Sequence, residues 1–255
     1  MKASAVFAPG GYRYLPAVMQ YSAGVAAEPG HVIERARFTR PLPLAGGFAA
    51  IEAFLRSRDR APTALCACEL RSPEPFTEAG FAQFNRHYVQ TLEGWGIYRD
   101  DVNPVARTNV CPAFGPPREP SLFAFSYTMP TTSKMAGTFV VAGSGETREG
   151  GASYRESIVR YGDTSLAGMR DKVRHVVAAM KQRCAALGFT TGDATATHAY
   201  TVRDIGPLLH DELFGQGIGV DGLTLHACLP PVLGLEFEMD LRATATETVI
   251  GARGG

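Results

Sequence analysis

The chain has no net charge, no long apolar run and few cysteines, and each absence removes a class of function. Twenty-five Lys and Arg balance twenty-five Asp and Glu over 255 residues. Without a basic excess, neither a nucleic acid nor a membrane surface is expected as a partner, although a small local basic site for a small anion is allowed. No stretch approaches the roughly 20 uninterrupted apolar residues a membrane span needs. The start, MKASAVFAPGGYRY, has one early lysine but no long apolar run, so no signal peptide is expected. The five cysteines, Cys66, Cys68, Cys111, Cys184 and Cys228, are odd in number and include no C-x-x-C pair. That usage predicts reduced thiols in a cytoplasm. No His/Cys spacing supports a tetrahedral zinc site, and no pyridoxal motif is present, so no metal and no cofactor is expected. The CAC run at 66–68 is read as two buried thiols on one face of a strand.

What is present is material for a core: 45% of residues are hydrophobic and 20% charged. The length is large for one domain and comfortable for two. The first half reads strand, strand, helix, strand, helix, strand. Residues 17–27 and 31–40 read as a hairpin about the Pro29-Gly30 turn. Phe48, Ile51, Phe54 and Leu55 recur at helical spacing over 46–58. Residues 63–70 read as a buried strand. A second helix spans 76–96, with Thr77 as N-cap and Phe81, Phe84, Tyr88 and Leu92 as its stripe. NPVARTNVCP (103–112) then sets a permanently charged Arg107 between a proline corner and an apolar strand.

The second half repeats the order. Residues 121–130 and 137–146 read as strands, the latter running into a glycine-rich turn. Leu166, Met169, Val173, Val176, Val177, Met180, Cys184 and Leu187 form one stripe of a helix over 164–188, ended by Gly188. Strands are expected at 194–202 and 222–230, with a short helix at 204–215 between them. The last strand, 233–246, alternates. Leu235, Phe237, Met239 and Leu241 lie on one face, and Glu236, Glu238, Asp240 and Arg242 on the other, which reads by default as solvated.

These pieces resemble the Rid (YjgF/YER057c/UK114) family. In the second half the resemblance lies in FVVAGSGE, the long helix VRHVVAAMKQRCAALGFTTGDA, THAYTVRDI and LPPVLGLEFEMDL. The first half is similar to a more divergent copy. FAQFN followed by Tyr88 places Asn85 on the family's helix asparagine, and PVARTNV matches P-x-A-R-[ST]-x-V, placing Arg107 on its carboxylate-binding arginine. The second half departs from the pattern, with Asp221 at the arginine position and His210 near the asparagine position, while the last-strand glutamate falls on Glu236. The resemblance implies an α+β fold of two tandem Rid-like (chorismate-mutase-like) lobes, 1–118 and 119–255. Each is a mostly antiparallel sheet with two helices on one face. It also implies a trimer-based homo-oligomer with sites in clefts between subunits.

Deaminases of that family hydrolyse enamines and imines of amino acids, and the expectation here follows from that chemistry. A guanidinium grips a carboxylate at any physiological pH, so Arg107 is the expected anchor of a dicarboxylate substrate. Imine hydrolysis also needs a carboxyl shielded enough to exchange protons near neutrality, and Glu236 is the candidate. Gly143, Ser144 and Glu146, in the turn AGSGE, together with Asn85, are candidate substrate contacts, though the turn also reads as a plain hairpin. Arg148, Arg155 and Arg160 are available for a second carboxylate. Cys111 has no basic neighbour in sequence and is not expected to be a nucleophile. His198 and His226 read as core or interface histidines. The activity implied is deamination of 2-aminomuconate or a chlorinated 2-aminomuconate. The alternatives are a chorismatase-like enzyme and a non-catalytic binding protein.

Overall fold

The computed structural model describes residues 3–133, 137–148 and 153–251. In chain order the earlier strands are β1 (Ala5–Phe7), β2 (Tyr12–Tyr14), β3 (Gly24–Ala27), β4 (His31–Pro43), β5 (Leu65–Arg71), β6 (Ala106–Pro112) and β7 (Ser121–Pro130). The later ones are β8 (Phe139–Gly145), β9 (Ala196–Tyr200), β10 (Leu223–His226), β11 (Cys228–Leu229), β12 (Glu238–Ala243) and β13 (Glu247–Ile250). Helices are α1 (Leu44–Arg56), α2 (Glu78–Gly94), the single turn α3 (Tyr154–Ser157) and α4 (Leu166–Leu187). The helices end as their sequences dictate. Thr77 accepts the Gly80 N–H at 3.1 Å to start α2, and Gly188 closes α4 in the left-handed region at φ 86°.

The strands form two mixed sheets packed face to face. One has the order β1-β2-β3-β8-β12-β9-β10 and the other β11-β6-β5-β7-β4-β13. Helices α1 and α2 cover the outer face of the second sheet, where Phe48, Ile51, Tyr88, Leu92 and Phe125 share a core. Helix α4 covers the outer face of the first, with Met169, Val173, Val176 and Met180 against Phe237, Met239 and Leu241. Between the sheets lies a smaller apolar cluster that includes Tyr12, Val25, Ile33, Cys66, Ala106 and Val140.

This architecture corrects the expected pair of tandem lobes. The chain interleaves: β1, β2 and β3 from its start complete the sheet of β8, β9 and β12, while β11 and β13 from its end complete the sheet of β4 to β7. Most strand pairs are antiparallel, as expected, and β5–β6, β9–β10 and β4–β13 pair in parallel. Only one long helix backs the first sheet, because residues 206–216 form short 3-10 and π turns instead of a second helix.

Two local expectations fail for the same reason, which is that a turn carries the chain between sheets. The 17–27/31–40 hairpin does not form. Gly30, at φ 82°, lets the chain cross from β3 in one sheet to β4 in the other. The expected strand 222–230 breaks at Ala227, so β10 and β11 also lie in different sheets. The CAC thiols do not share a face. A register shift between Leu65 and Ala67 turns Cys66 toward the inter-sheet cluster and Cys68 toward the helix side. All five cysteines are buried and unbridged.

The alternation of the last strand holds, but its polar face is not solvated. Glu238, Asp240 and Arg242 are each 4% exposed or less, because the second sheet covers them. Among the described residues no helix is long and apolar enough to cross a membrane.

Candidate active site

A cleft of about 410 Å³, open mouth included, lies beside β6 where the two sheets meet. Its walls include Tyr21, Phe81, Arg107, Asn109, Gly143, Tyr154, Leu235 and Glu238. Residues from both halves of one chain therefore build it.

The proline corner does fix Arg107. Ser22 donates its hydroxyl to the Pro104 carbonyl at 2.9 Å and its N–H to the Val105 carbonyl at 2.9 Å. Asn103 accepts the Val105 N–H at 2.9 Å and donates to the Gln20 carbonyl at 3.0 Å. These bonds seat β6 against residues 20–22, which bring Tyr21 to the cleft. From β6 the Arg107 side chain enters a box of rings. Its guanidinium carbon lies 4.7 Å from the Tyr88 centroid, 5.3 Å from Tyr21, and 5.6 Å from both Phe81 and Phe84. Asn85, on α2, accepts a hydrogen bond from Arg107 Nη2 at 2.7 Å. Asn85, expected as a substrate contact, instead supports Arg107 and is not in the cleft wall.

Arg107 is 3% exposed, and among the described residues no carboxylate lies within ion-pair distance of it. Its Nη1 is buried without a hydrogen-bond partner. Burial lowers its pKa, but a guanidinium stays charged. Ring faces attract a desolvated cation by about 2 kcal/mol, less than the several kcal/mol that burying an unpaired ion costs. The site is therefore short of one anion.

The acid facing this cation is Glu238, not Glu236. Glu236 points away from the cleft and receives Arg203 at 2.8 and 3.3 Å. The reason is register. Glu238 stands opposite Tyr200 and Gly145, at the ends of β9 and β8, so Glu236 falls beyond the paired region where the chain after β9 brings Arg203. Glu238 is 4% exposed, and its pKa is pushed well up, first by burial and then by the charge of Asp240, against the opposing pull of Arg107. It is a carboxyl that keeps its proton far above the usual range.

The glycine turn contributes by what it omits. A Cβ at Gly143 would overlap the Glu238 carboxyl and stand 3.2 Å from Thr108 Cα. Gly145 also lines the cleft, beside Leu235. Ser144 points the other way, opposite Met239 in register, and is not in the wall. Glu146 is not a cleft residue either. Its fully buried carboxylate accepts the N–H groups of Glu236 and Phe237 at 2.7 and 3.1 Å and Lys172 Nζ at 3.2 Å, clamping the segment that leads into β12.

The other candidates lie elsewhere. Arg155 sits 4.9 Å over the Tyr161 ring, Arg160 pairs with Asp163 and Asp171, and Arg148 is exposed. Asp221 and His210 are exposed, far from any arginine-like role in the cleft. Burial, then the nearby Glu238, pushes the Cys111 thiol up to about 12, which leaves it unreactive. His198 is held neutral, with its pKa brought down to about 4 chiefly by burial.

The reading of the sequence missed Tyr21, Tyr154, Asn109 and Glu238 in the walls. Asn109 had a signal: two residues beyond Arg107 on a strand puts it on the same face.

A family model described as 2-aminomuconate deaminase CnbZ matches residues 4–248. A 2-amino-5-chloromuconate deaminase from Comamonas testosteroni is 54% identical over 251 residues, covering 98% of this chain and all of that protein. Among solved structures, a chorismatase superposes at a TM-score of 0.48 with 10% identity, covering 87% of this chain and 77% of that one. A cyanuric acid hydrolase from A. caulinodans gives 0.39 with 12% identity, covering 84% and 67%.

Proposed function

The chain belongs to the 2-aminomuconate deaminase CnbZ family, and from that premise we propose that it releases ammonia from a 2-aminomuconate-type enamine dicarboxylate by hydrolysis in the Arg107–Glu238 cleft. The observation that carries this reading is a buried guanidinium with an unsatisfied Nη1, in the same small cleft as the buried carboxyl of Glu238, whose pKa burial raises.

Arg107 binds the carboxylate beside the amine-bearing carbon and so supplies the missing anion. Asn85 and the ring box hold the guanidinium in place. Protonated Glu238 gives its proton to the conjugated carbon chain, converting the enamine to a protonated imine. The resulting carboxylate takes a proton from the water that adds to the imine carbon. It then returns that proton to the nitrogen and, as the carbon–nitrogen bond breaks, takes the proton of the new hydroxyl, which becomes the carbonyl. Ammonia and a 2-oxo dicarboxylate leave, one water is consumed, and Glu238 ends protonated as it began. The residues in this scheme need neither a metal nor pyridoxal.

The test is to mix the purified chain with 2-aminomuconate and follow ammonia and ultraviolet absorbance, with chorismate as a parallel substrate. Ammonia from the first, lost on Arg107→Lys mainly through a raised KM, is the expected result. Pyruvate from chorismate, or ammonia release untouched by Arg107→Lys, would overturn the reading.

A further inference from the structure

We infer that Asn109, oriented by Ser72, is the donor that receives the second carboxylate of the substrate, and so selects dianions over monoanions. This rests on the proposed dicarboxylate chemistry and adds the residue that recognises the far end.

Among the described residues lining the cleft Arg107 is the sole cation, one positive charge against two negative ones. Arg148, Arg155 and Arg160 do not line it. The far carboxylate must then meet neutral donors. Asn109 supplies one that is already stripped of water. The side chain is 3% exposed, it lines the cleft, and its Nδ2 is buried with no hydrogen-bond partner.

Orientation is set from the other side. Ser72, itself fully buried, donates its hydroxyl to Asn109 Oδ1 at 2.9 Å, and its N–H bonds the Val110 carbonyl at 2.9 Å, tying it to β6. With the oxygen held by Ser72, the unpartnered amide nitrogen is the end of this cleft-lining side chain left for an acceptor. A buried donor left unpaired costs about 1–3 kcal/mol. That cost is recovered only when an acceptor arrives. Arg107 and Asn109 are also two apart on one strand face, about 6.6 Å between Cα atoms, the scale of a short conjugated diacid.

Calorimetry with two unreactive probes tests this: trans,trans-muconate, and sorbate, which is the same conjugated chain with a methyl in place of one carboxylate. Asn109→Ala is expected to weaken muconate binding about tenfold and to leave sorbate unchanged, as loss of one hydrogen bond to a charged group predicts. Asn109→Asp should weaken muconate further by repulsion. Ser72→Ala, which frees the amide to turn, should weaken muconate about two- to threefold, again sparing sorbate, by the share of a bond lost to misorientation. Arg107→Lys should weaken both probes.

Equal losses for muconate and sorbate in the Asn109 variants, or no loss in either, would overturn the inference. So would wild-type protein that binds neither probe. Should Asn109→Ala fail to fold, Ser72→Ala carries the same muconate-against-sorbate contrast. The two proposals fail separately. Selective muconate binding without ammonia release from 2-aminomuconate removes the reaction and leaves Asn109 standing. Ammonia release with no dianion preference removes only Asn109.

Discussion

Asp240 and Glu238 lie two residues apart on the same buried face of β12, and they have opposite fates. Burial alone would raise both. Arg242, with Nη2 2.7 Å from Asp240 Oδ1, leads the groups that together, with the Tyr200 hydroxyl among them, outweigh burial and hold Asp240 below the usual carboxylate range. Among the described residues no ion pair reaches Glu238, and burial joined by the charge of Asp240 drives it up against the weaker pull of Arg107 and Arg183. The surrounding groups repeat the contrast. Arg35 grips Glu69 through two bonds of 2.6 and 2.7 Å, and Arg242 Nη1 reaches Glu69 at 3.2 Å, so that end of the inter-sheet layer is a closed network. At the other end Arg107 and Asn109 each keep a buried donor without a partner. Equal burial thus accompanies ionised structural pairs where charges match and a raised carboxyl beside unpartnered donors where they do not.

The sharpest way to test this contrast is Glu238→Gln. With its proton donor replaced, kcat should fall by about 10²–10⁴, measured as ammonia release. Stability should move the other way. Folded Glu238 keeps its proton while the unfolded chain loses it, so between the ordinary carboxylate pKa and the raised one the folded state binds more protons and stability falls as pH rises. The Gln variant lacks that slope. Its melting temperature should therefore gain on wild type as pH increases toward neutral and beyond. Wild-type activity should fall as pH rises through the Glu238 pKa. A Gln variant with unimpaired kcat would remove Glu238 from the chemistry.

The closed end should answer in the reverse sense. Glu69→Gln leaves Arg35 and Arg242 short of a charge and should cost about 3–5 kcal/mol. For a chain of this size that corresponds to a melting temperature lower by on the order of 10 °C. Well below its melting point, kcat should stay near wild type, since Glu69 is not in the cleft wall. A large kcat loss in the still-folded variant would break the division between the two ends.

Legibility in the sequence followed the range of the interactions. Helices α1, α2 and α4, with the Thr77 and Gly188 caps, were readable because their stripes and stops are local. Arg107 and Asn85 were readable from short motifs, and their contact is real. Sheet membership was not readable. Nothing near Gly30 or Ala227 states that the chain changes sheets there, so the interleaving of β1–β3, β11 and β13 stayed hidden behind a pattern that looked like a tandem repeat. The alternation was right in period over 237–242, with Leu235 turned instead to the cleft, but period does not say what covers a face. A second sheet covers it, and that fact moves the candidate acid from Glu236 to Glu238.

The smallest effect belongs to the residue with no side chain. Gly143→Ala would place a methyl in the space of the Glu238 carboxyl, with the Thr108 backbone 3.2 Å behind it. Overpacking of this kind costs about 1–3 kcal/mol. The carboxyl must shift, while Arg107 and its ring box do not, so kcat should drop with KM little changed. Glu238→Asp, one methylene shorter, should draw the carboxyl back from the new methyl. The double variant Gly143→Ala/Glu238→Asp should then melt higher than the sum of the single losses predicts, a coupling within the range seen for residues in contact, roughly 0.5–3 kcal/mol. Strict additivity would mean that Gly143 is glycine for another reason. The unpaired acid would then lose the steric half of its explanation, and burial and Asp240 would have to account for it alone.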